Sequence, residues 1–116
     1  MKVRPIGVDV VDAYAVLEKY GDTFAAAVYL WSASVNKEDA DREIAMMLKK
    51  VFEFKYSTSN IVIIDSYIDR TGSRLEWDHL IHDADSGRFQ GVLHFGDLES
   101  ATDLQSKGLL LIDVRR

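Results

Sequence analysis

Apolar and polar positions divide the chain into helical and extended stretches. Between Val8 and Tyr20, apolar residues at Val10, Val11, Tyr14 and Leu17 follow Asp9, an N-cap candidate, and precede Gly21, a stop signal. This predicts an amphipathic helix over 9–20. Thr23 to Trp31 is continuously apolar after its first residue and ends in Ser32-Ala33-Ser34. That pattern suits a buried strand, with its three alanines leaving a helix open. Residues 37–53 begin with Lys-Glu-Asp-Ala-Asp and then place Ile44, Met47, Leu48 and Val51 on one face of a 3.6-residue period. Acidic residues in the first turn and Lys49-Lys50 near the end suit the dipole of a helix there. Tyr56 to Asn60 is a polar turn, and Ile61-Val62-Ile63-Ile64, apolar on both faces, predicts a strand in the middle of a parallel sheet.

Further on, Ser73 and Glu76 form a capping-box pattern, and Trp77, Leu80, Ile81 and Ala84 follow at helical spacing before Ser86-Gly87. A helix over 74–86 is expected. Gly91 to Phe95 is the next predicted strand, Ser100 to Lys107 a short helix stopped by Gly108, and Leu109 to Val114 a last strand. This order, a helix followed by four strands alternating with helices, predicts an α/β fold. It has three layers: a mainly parallel sheet of about four strands flanked by helices, with right-handed crossovers.

At 116 residues the chain has the size of one domain, 1–116, and a composition of 47% hydrophobic and 28% charged residues is ordinarily globular. Without cysteine there is no disulfide framework or thiolate nucleophile, which agrees with a reducing cytoplasm. Fourteen Lys and Arg against nineteen Asp and Glu give a net charge of −5, which repels nucleic-acid phosphates and disfavours autonomous DNA binding. The longest strongly apolar stretch, Phe24 to Leu30, is far below the roughly 20 residues a membrane span needs. No signal h-region follows Met1, so a soluble, unprocessed, cytoplasmic chain is expected.

In a doubly wound sheet the ligand crevice lies outside the carboxyl ends of the strands. The informative positions are then Ser32 to Asn36, Asp65 to Arg74, Gly96 to Ser100 and Asp113 to Arg116. His79, His82 and Asp83 fall at i, i+3 and i+4 on one helix, but without a His-Glu-x-x-His spacing they are read as surface residues. His94, inside a strand, is read as a satisfied, semi-buried residue, and Tyr29 and Trp31 as core or interface aromatics. Asp65, Asp69 and Asp97 at the carboxyl edge suggest a Mg²⁺ site, but no convincing Ser/Thr and Lys pair stands at the later strand ends. No phosphate-binding glycine motif occurs, and no cofactor or metal is expected.

Several of these segments, in order, resemble the N-terminal catalytic domain of serine recombinases of the resolvase/invertase family. The resemblance rests on Tyr67-Ile-Asp69, Arg74-Leu-Glu-Trp77-Asp78-His-Leu80-Ile81, Asp83-Ala84-Asp-Ser-Gly87-Arg-Phe89 and Gly91-Val-Leu93. These are similar to the family's Tyr-x-Asp strand end, Arg-Pro-Gly-Phe-x-x-Leu-Leu helix start, Asp-Ala helix end and Gly-x-Phe-Asp-x-Val-Leu-Val strand. Ala27 to Ser34 resembles the strand ending Tyr-x-Arg-x-Ser-Thr, and Leu104 to Ile112 the segment after the catalytic helix. The recombinase-like region covers 25–114 and leaves the helix at 9–20 outside.

The resemblance implies a resolvase-like fold and a link to DNA recombination, of a mobile-element or phage type. It also places Ala33 where the family has its nucleophilic serine and Trp31 where it has an arginine. Leu98 and Ala101 stand where two further arginines are found. Phosphoryl transfer depends on positioned cations and a nucleophile, so these replacements imply a pseudoenzyme. Arg74 and Asp97 match the family, and Ser34 matches the hydroxyl residue after the nucleophile. The catalytic candidates are therefore Ser34, Arg74 and Asp97, as a vestigial set. The expected mode of action is through a protein partner or a homodimer, with DNA reached only through a partner. One alternative is an active fragment using Ser34 or Ser32, completed by a DNA-binding chain. Another is an acidic inhibitor or immunity-type protein that occupies a basic surface.

Overall fold

A computed structural model describes residues 23–57, 61–96, 98 and 101–115. The helix expected at 9–20 and the candidate Asp97 lie outside the described residues. The element order is β1 (Phe24–Ser32), α1 (Lys37–Ser57), β2 (Ile61–Arg70), α2 (Leu75–Ala84), β3 (Gly91–His94), α3 (Ala101–Gln105) and β4 (Leu110–Asp113). These four strands form one sheet in the order β2-β1-β3-β4, and every pairing is parallel. This is the α/β arrangement that the alternation of elements predicts. Among the described residues no helix is long and apolar enough to cross a membrane.

Side-chain alternation along the strands builds two cores. On one face Phe24, Ala26, Val28 and Leu30 of β1, with Leu93 and Ile112, meet Ile44, Met47, Val51 and Phe54 of α1. On the other, Ala27, Tyr29, Tyr67, Val92 and Leu111 meet Trp77, Leu80 and Ala84 of α2 and Ala101 and Leu104 of α3. Burial of each large side chain stabilises the fold by about 1.5–3 kcal/mol. The chain leaves β1 for β2 on one side and returns past β1 to β3, so the strand order reverses between β1 and β3. Crevices in such sheets open beyond the carboxyl ends at this reversal.

Some expectations are corrected. The Ile61–Ile64 run is not central: β2 is an edge strand, and Val62 and Ile64 are exposed while Ile61 and Ile63 pack on the α1 side. A register shift between the Ala26/Ile63 and Ala27/Asp65 pairs leaves Ile64 out of the Cα pairing. The apolar run is thus an alternating strand with a bulge, not a strand covered on both faces. β2 also continues to Arg70, so its connection to α2 is only Thr71 to Arg74.

α1 runs beyond 53 to Ser57, because Phe54 extends the buried stripe three residues after Val51. The Ser57 hydroxyl then donates to the Phe54 carbonyl, 2.9 Å away, inside the last turn. α2 is shorter than the expected 74–86, and its first free amides are not capped by a Ser73/Glu76 box. Instead Asp69, from the end of β2, accepts from the amides of Glu76 at 3.0 Å and Trp77 at 2.9 Å, while the Ser73 hydroxyl accepts only from Leu75, at 3.3 Å. A buried carboxylate at a helix N-terminus satisfies the same orphan donors and also meets the positive end of the dipole.

Candidate functional site

Two loops meet at the carboxyl ends of β1 and β2. The first, Ala33 to Asn36, ends where the Asn36 side chain accepts from the amides of Glu38 (2.8 Å) and Asp39 (3.2 Å) and starts α1. The second, Thr71 to Arg74, turns at Gly72, whose φ of 86° suits a residue without a Cβ, with the Ser73 amide donating to the Arg70 carbonyl at 3.0 Å. Thr71 ties the loops together: its hydroxyl lies 3.1 Å from the Ser32 carbonyl oxygen and 3.3 Å from that of Ser34.

Beside this junction both serine hydroxyls donate to one carboxylate on α1. Ser32 Oγ lies 2.7 Å from Glu43 Oε1 and Ser34 Oγ 2.6 Å from Glu43 Oε2. The Ser34 amide donates to Ser32 Oγ at 3.2 Å, closing a small hydroxyl–carboxylate network. Hydrogen bonds from Ser34, and then from Ser32, hold the Glu43 carboxyl below its ordinary range. An adjacent cleft of about 250 Å³ is lined by Ser34, Val35, Lys37, Ala40, Arg70 and Thr71. Its two cations share one counter-ion, Asp41, at 2.7 Å from Arg70 and 3.1 Å from Lys37.

Ser34 therefore sits at a cleft, as its place after β1 predicts, with its hydroxyl hydrogen directed at Glu43. Ser32 is fully buried and engaged in the same way. Arg74 does not line the cleft; it lies at the end of the second loop, where its guanidinium carbon stands 5.3 Å from the centre of the Trp77 ring. Ala33 is exposed just beyond β1, and Trp31 is 51% exposed. Leu98 is half-buried against the α2–α3 core, and Ala101 is buried at the start of α3. Neither position offers a charge.

Of the three strand-end carboxylates, Asp97 lies outside the described residues, and Asp65 and Asp69 have separate partners. Asp69 is buried and accepts from the Tyr29 hydroxyl at 2.8 Å besides the two α2 amides, whereas Asp65 pairs with Arg88 at 2.5 Å. His79 lies 3.2 Å from Glu76, His82 is exposed on the same helix, and Asp83 accepts from the Tyr67 hydroxyl at 2.6 Å. Among the described residues no group of three or more His, Asp or Glu is arranged to hold a metal ion. His94 is more deeply buried than its strand position suggests, with Nδ1 2.6 Å from the Gly96 carbonyl oxygen.

Sequence reasoning does not single out Glu43 or Thr71. Glu43 lies nine residues after Ser34, about two helical turns beyond the Asn36 cap, and only the fold brings it to the serines. Comparison with protein-family models, with curated proteins and with solved structures finds no match for this chain.

Proposed function

We propose that this chain is a serine-recombinase-like domain that has lost DNA-cleaving chemistry and works through protein contacts. The observation that carries this reading is the Ser32–Glu43–Ser34 network. A serine that attacks a phosphodiester needs cations around the phosphate; here the partner of its hydroxyl is a carboxylate, and the two cations of the adjoining cleft, Lys37 and Arg70, are both paired with Asp41. At about 4 Å, a carboxylate and a phosphate oxygen repel by roughly 1 kcal/mol in water and 4 kcal/mol at a protein surface. The net charge of −5 acts in the same direction.

The resemblance adds Ala33 and Trp31 at positions where the family carries its nucleophile and a guanidinium. Apolar side chains stand at this end of the fold: Trp31 and Leu75 are more than half exposed, and Val35 is 91% exposed. Exposed aromatic and aliphatic groups near strand ends suit a protein partner better than a phosphate backbone.

The deciding experiment incubates the purified chain with supercoiled plasmid and reads relaxation and covalent protein–DNA adduct. Neither is expected, with or without Ser34→Ala. An adduct that disappears in Ser34→Ala would overturn the proposal in favour of an active fragment.

A further inference from the structure

We propose that α1 pairs antiparallel with α1 of a second copy of this chain, through a stripe that runs Glu38, Asp41, Ala45, Leu48, Phe52 and Lys55. The pairing stands on this helix alone and is independent of the recombinase-like reading. A helix that covers one face of a sheet needs one apolar stripe. In α1 that stripe is Ile44, Met47, Val51 and Phe54, all buried in the core.

The second stripe lies about a third of a turn round the helix from the first. Its residues follow one another at three, four, three, four and three positions, the alternation of a coiled-coil seam. The middle of the stripe is apolar: Ala45 is exposed, Leu48 is half-buried against the edge of the core, and Phe52 is 45% exposed. Tyr56, 81% exposed, widens the apolar part, with its ring centre 6.5 Å from that of Phe52. The two ends carry opposite charge. Glu38 and Asp41 stand near the start of the helix and Lys55 in its last turn, where the ammonium lies 5.4 Å from the centre of the Tyr56 ring.

This distribution selects a second copy as the occupant and fixes its direction. Single exposed apolar side chains are ordinary on a protein surface, whereas a row at seam spacing is built to meet another helix. With the two helices antiparallel about a two-fold axis level with Met46 and Met47, Ala45 stands opposite the partner's Leu48, a small residue against a larger one. Glu38 then stands opposite the partner's Lys55, twice over by symmetry. Asp41 falls beside the partner's Phe52, where its charge is already met by Arg70 at 2.7 Å and Lys37 at 3.1 Å. Lys49 lies at the margin of the stripe, where a long side chain keeps its ammonium in water. A parallel pair would instead set Glu38 against Glu38 and Lys55 against Lys55. Within one helix Glu38 and Lys55 are seventeen residues, about 25 Å, apart, so they can meet only between copies.

The test is the association of the full chain, followed by sedimentation equilibrium from about 10 μM to about 1 mM at low ionic strength, because an interface of one helix from each copy is small and weak. A monomer–dimer equilibrium is expected within this range. Phe52→Glu, at a position exposed in the single chain, should weaken it by about tenfold or more. Glu38→Lys and Lys55→Glu, each alone, oppose like charges at both ends of the pair and should weaken it about tenfold. Mixed in equal amounts, these two variants should associate as tightly as the wild type, since every end pair is again opposite in sign. A monomer throughout the range would overturn the proposal. So would a dimer indifferent to Phe52→Glu, which would use another face, or charge variants that fail to recover on mixing, which would exclude the antiparallel register.

Discussion

The hydroxyl of Tyr29, on the central strand β1, donates to Asp69 Oδ2 on β2 across 2.8 Å in the buried interior. Because the same carboxylate accepts the amides of Glu76 and Trp77, one side chain joins two strands to the start of α2. The Trp77 ring also meets Tyr29 edge-on at 5.0 Å. Asp69→Ala removes the cap and takes this acceptor away from a buried hydroxyl. A loss of about 3 kcal/mol is expected in urea unfolding, about 1 from the cap and about 2 from the hydroxyl. Tyr29→Phe should cost about 1 kcal/mol, and combining the two should cost less than their sum, since the phenylalanine has no hydroxyl to leave unsatisfied. Strict additivity would mean the two groups do not act as one unit.

Gly91 opens β3 under equally tight constraint. A Cβ there would lie 2.6 Å from the Leu110 carbonyl oxygen and 2.6 Å from the Phe24 ring. Gly91→Ala is therefore expected to destabilise by about 2–3 kcal/mol, by the strain of overpacking. Adding Phe24→Leu should recover little, because the carbonyl is backbone and cannot move without disturbing the β3–β4 pairing. Full recovery in the double variant would place the constraint on Phe24 alone.

What is legible in the sequence is local, and what it hides is tertiary. The four strands and three of the helices follow from periodicity, because apolar spacing at 2 or 3.6 residues is a property of neighbouring positions. The place of β2 escapes such a reading because Ile61-Val62-Ile63-Ile64 is the same string for a central strand and for an edge strand with a bulge. The capping box at Ser73 misleads for a related reason: the box is a local pattern, while the actual acceptor comes from Asp69, at the end of a strand. At the candidate site Ser34 is legible from its place after β1. Glu43 is not, since no spacing rule links a loop hydroxyl to a carboxylate two turns into the next helix.

Glu43 links that site to acid stability. Its carboxyl is held below the ordinary value of 4.5 by the Ser34 and Ser32 hydroxyls. A depressed folded-state value means that the stabilisation is present above 4.5 and is lost as pH falls through the lower folded value. Glu43→Gln should therefore lose less stability than the wild type on going from about pH 5 to about pH 3. Urea midpoints at the two pH values give the comparison; parallel losses would mean that the serine bonds do not favour the charged carboxylate. Asp41, lowered by Arg70 and then Lys37, titrates in the same window in both proteins and cancels.

At the alkaline end the sign reverses at Tyr67. Burial, and then the hydrogen bond to Asp83, push its phenol well above the ordinary value of 10. The folded state thus favours the neutral phenol, so this contribution is complete below 10 and is lost as pH rises toward the higher folded value. Tyr67→Phe forfeits the bond to Asp83 and should be less stable than the wild type at neutral pH by about 1 kcal/mol. Above about pH 10 the gap should narrow, because only the wild-type unfolded chain gains by ionising Tyr67. Tyrosinate absorbance followed through unfolding at about pH 11 supplies an independent readout. The wild type should release one more ionised phenol on unfolding than Tyr67→Phe does. A gap that stays constant from neutral to alkaline pH would show that Tyr67 ionises as readily in the folded chain as in the unfolded one.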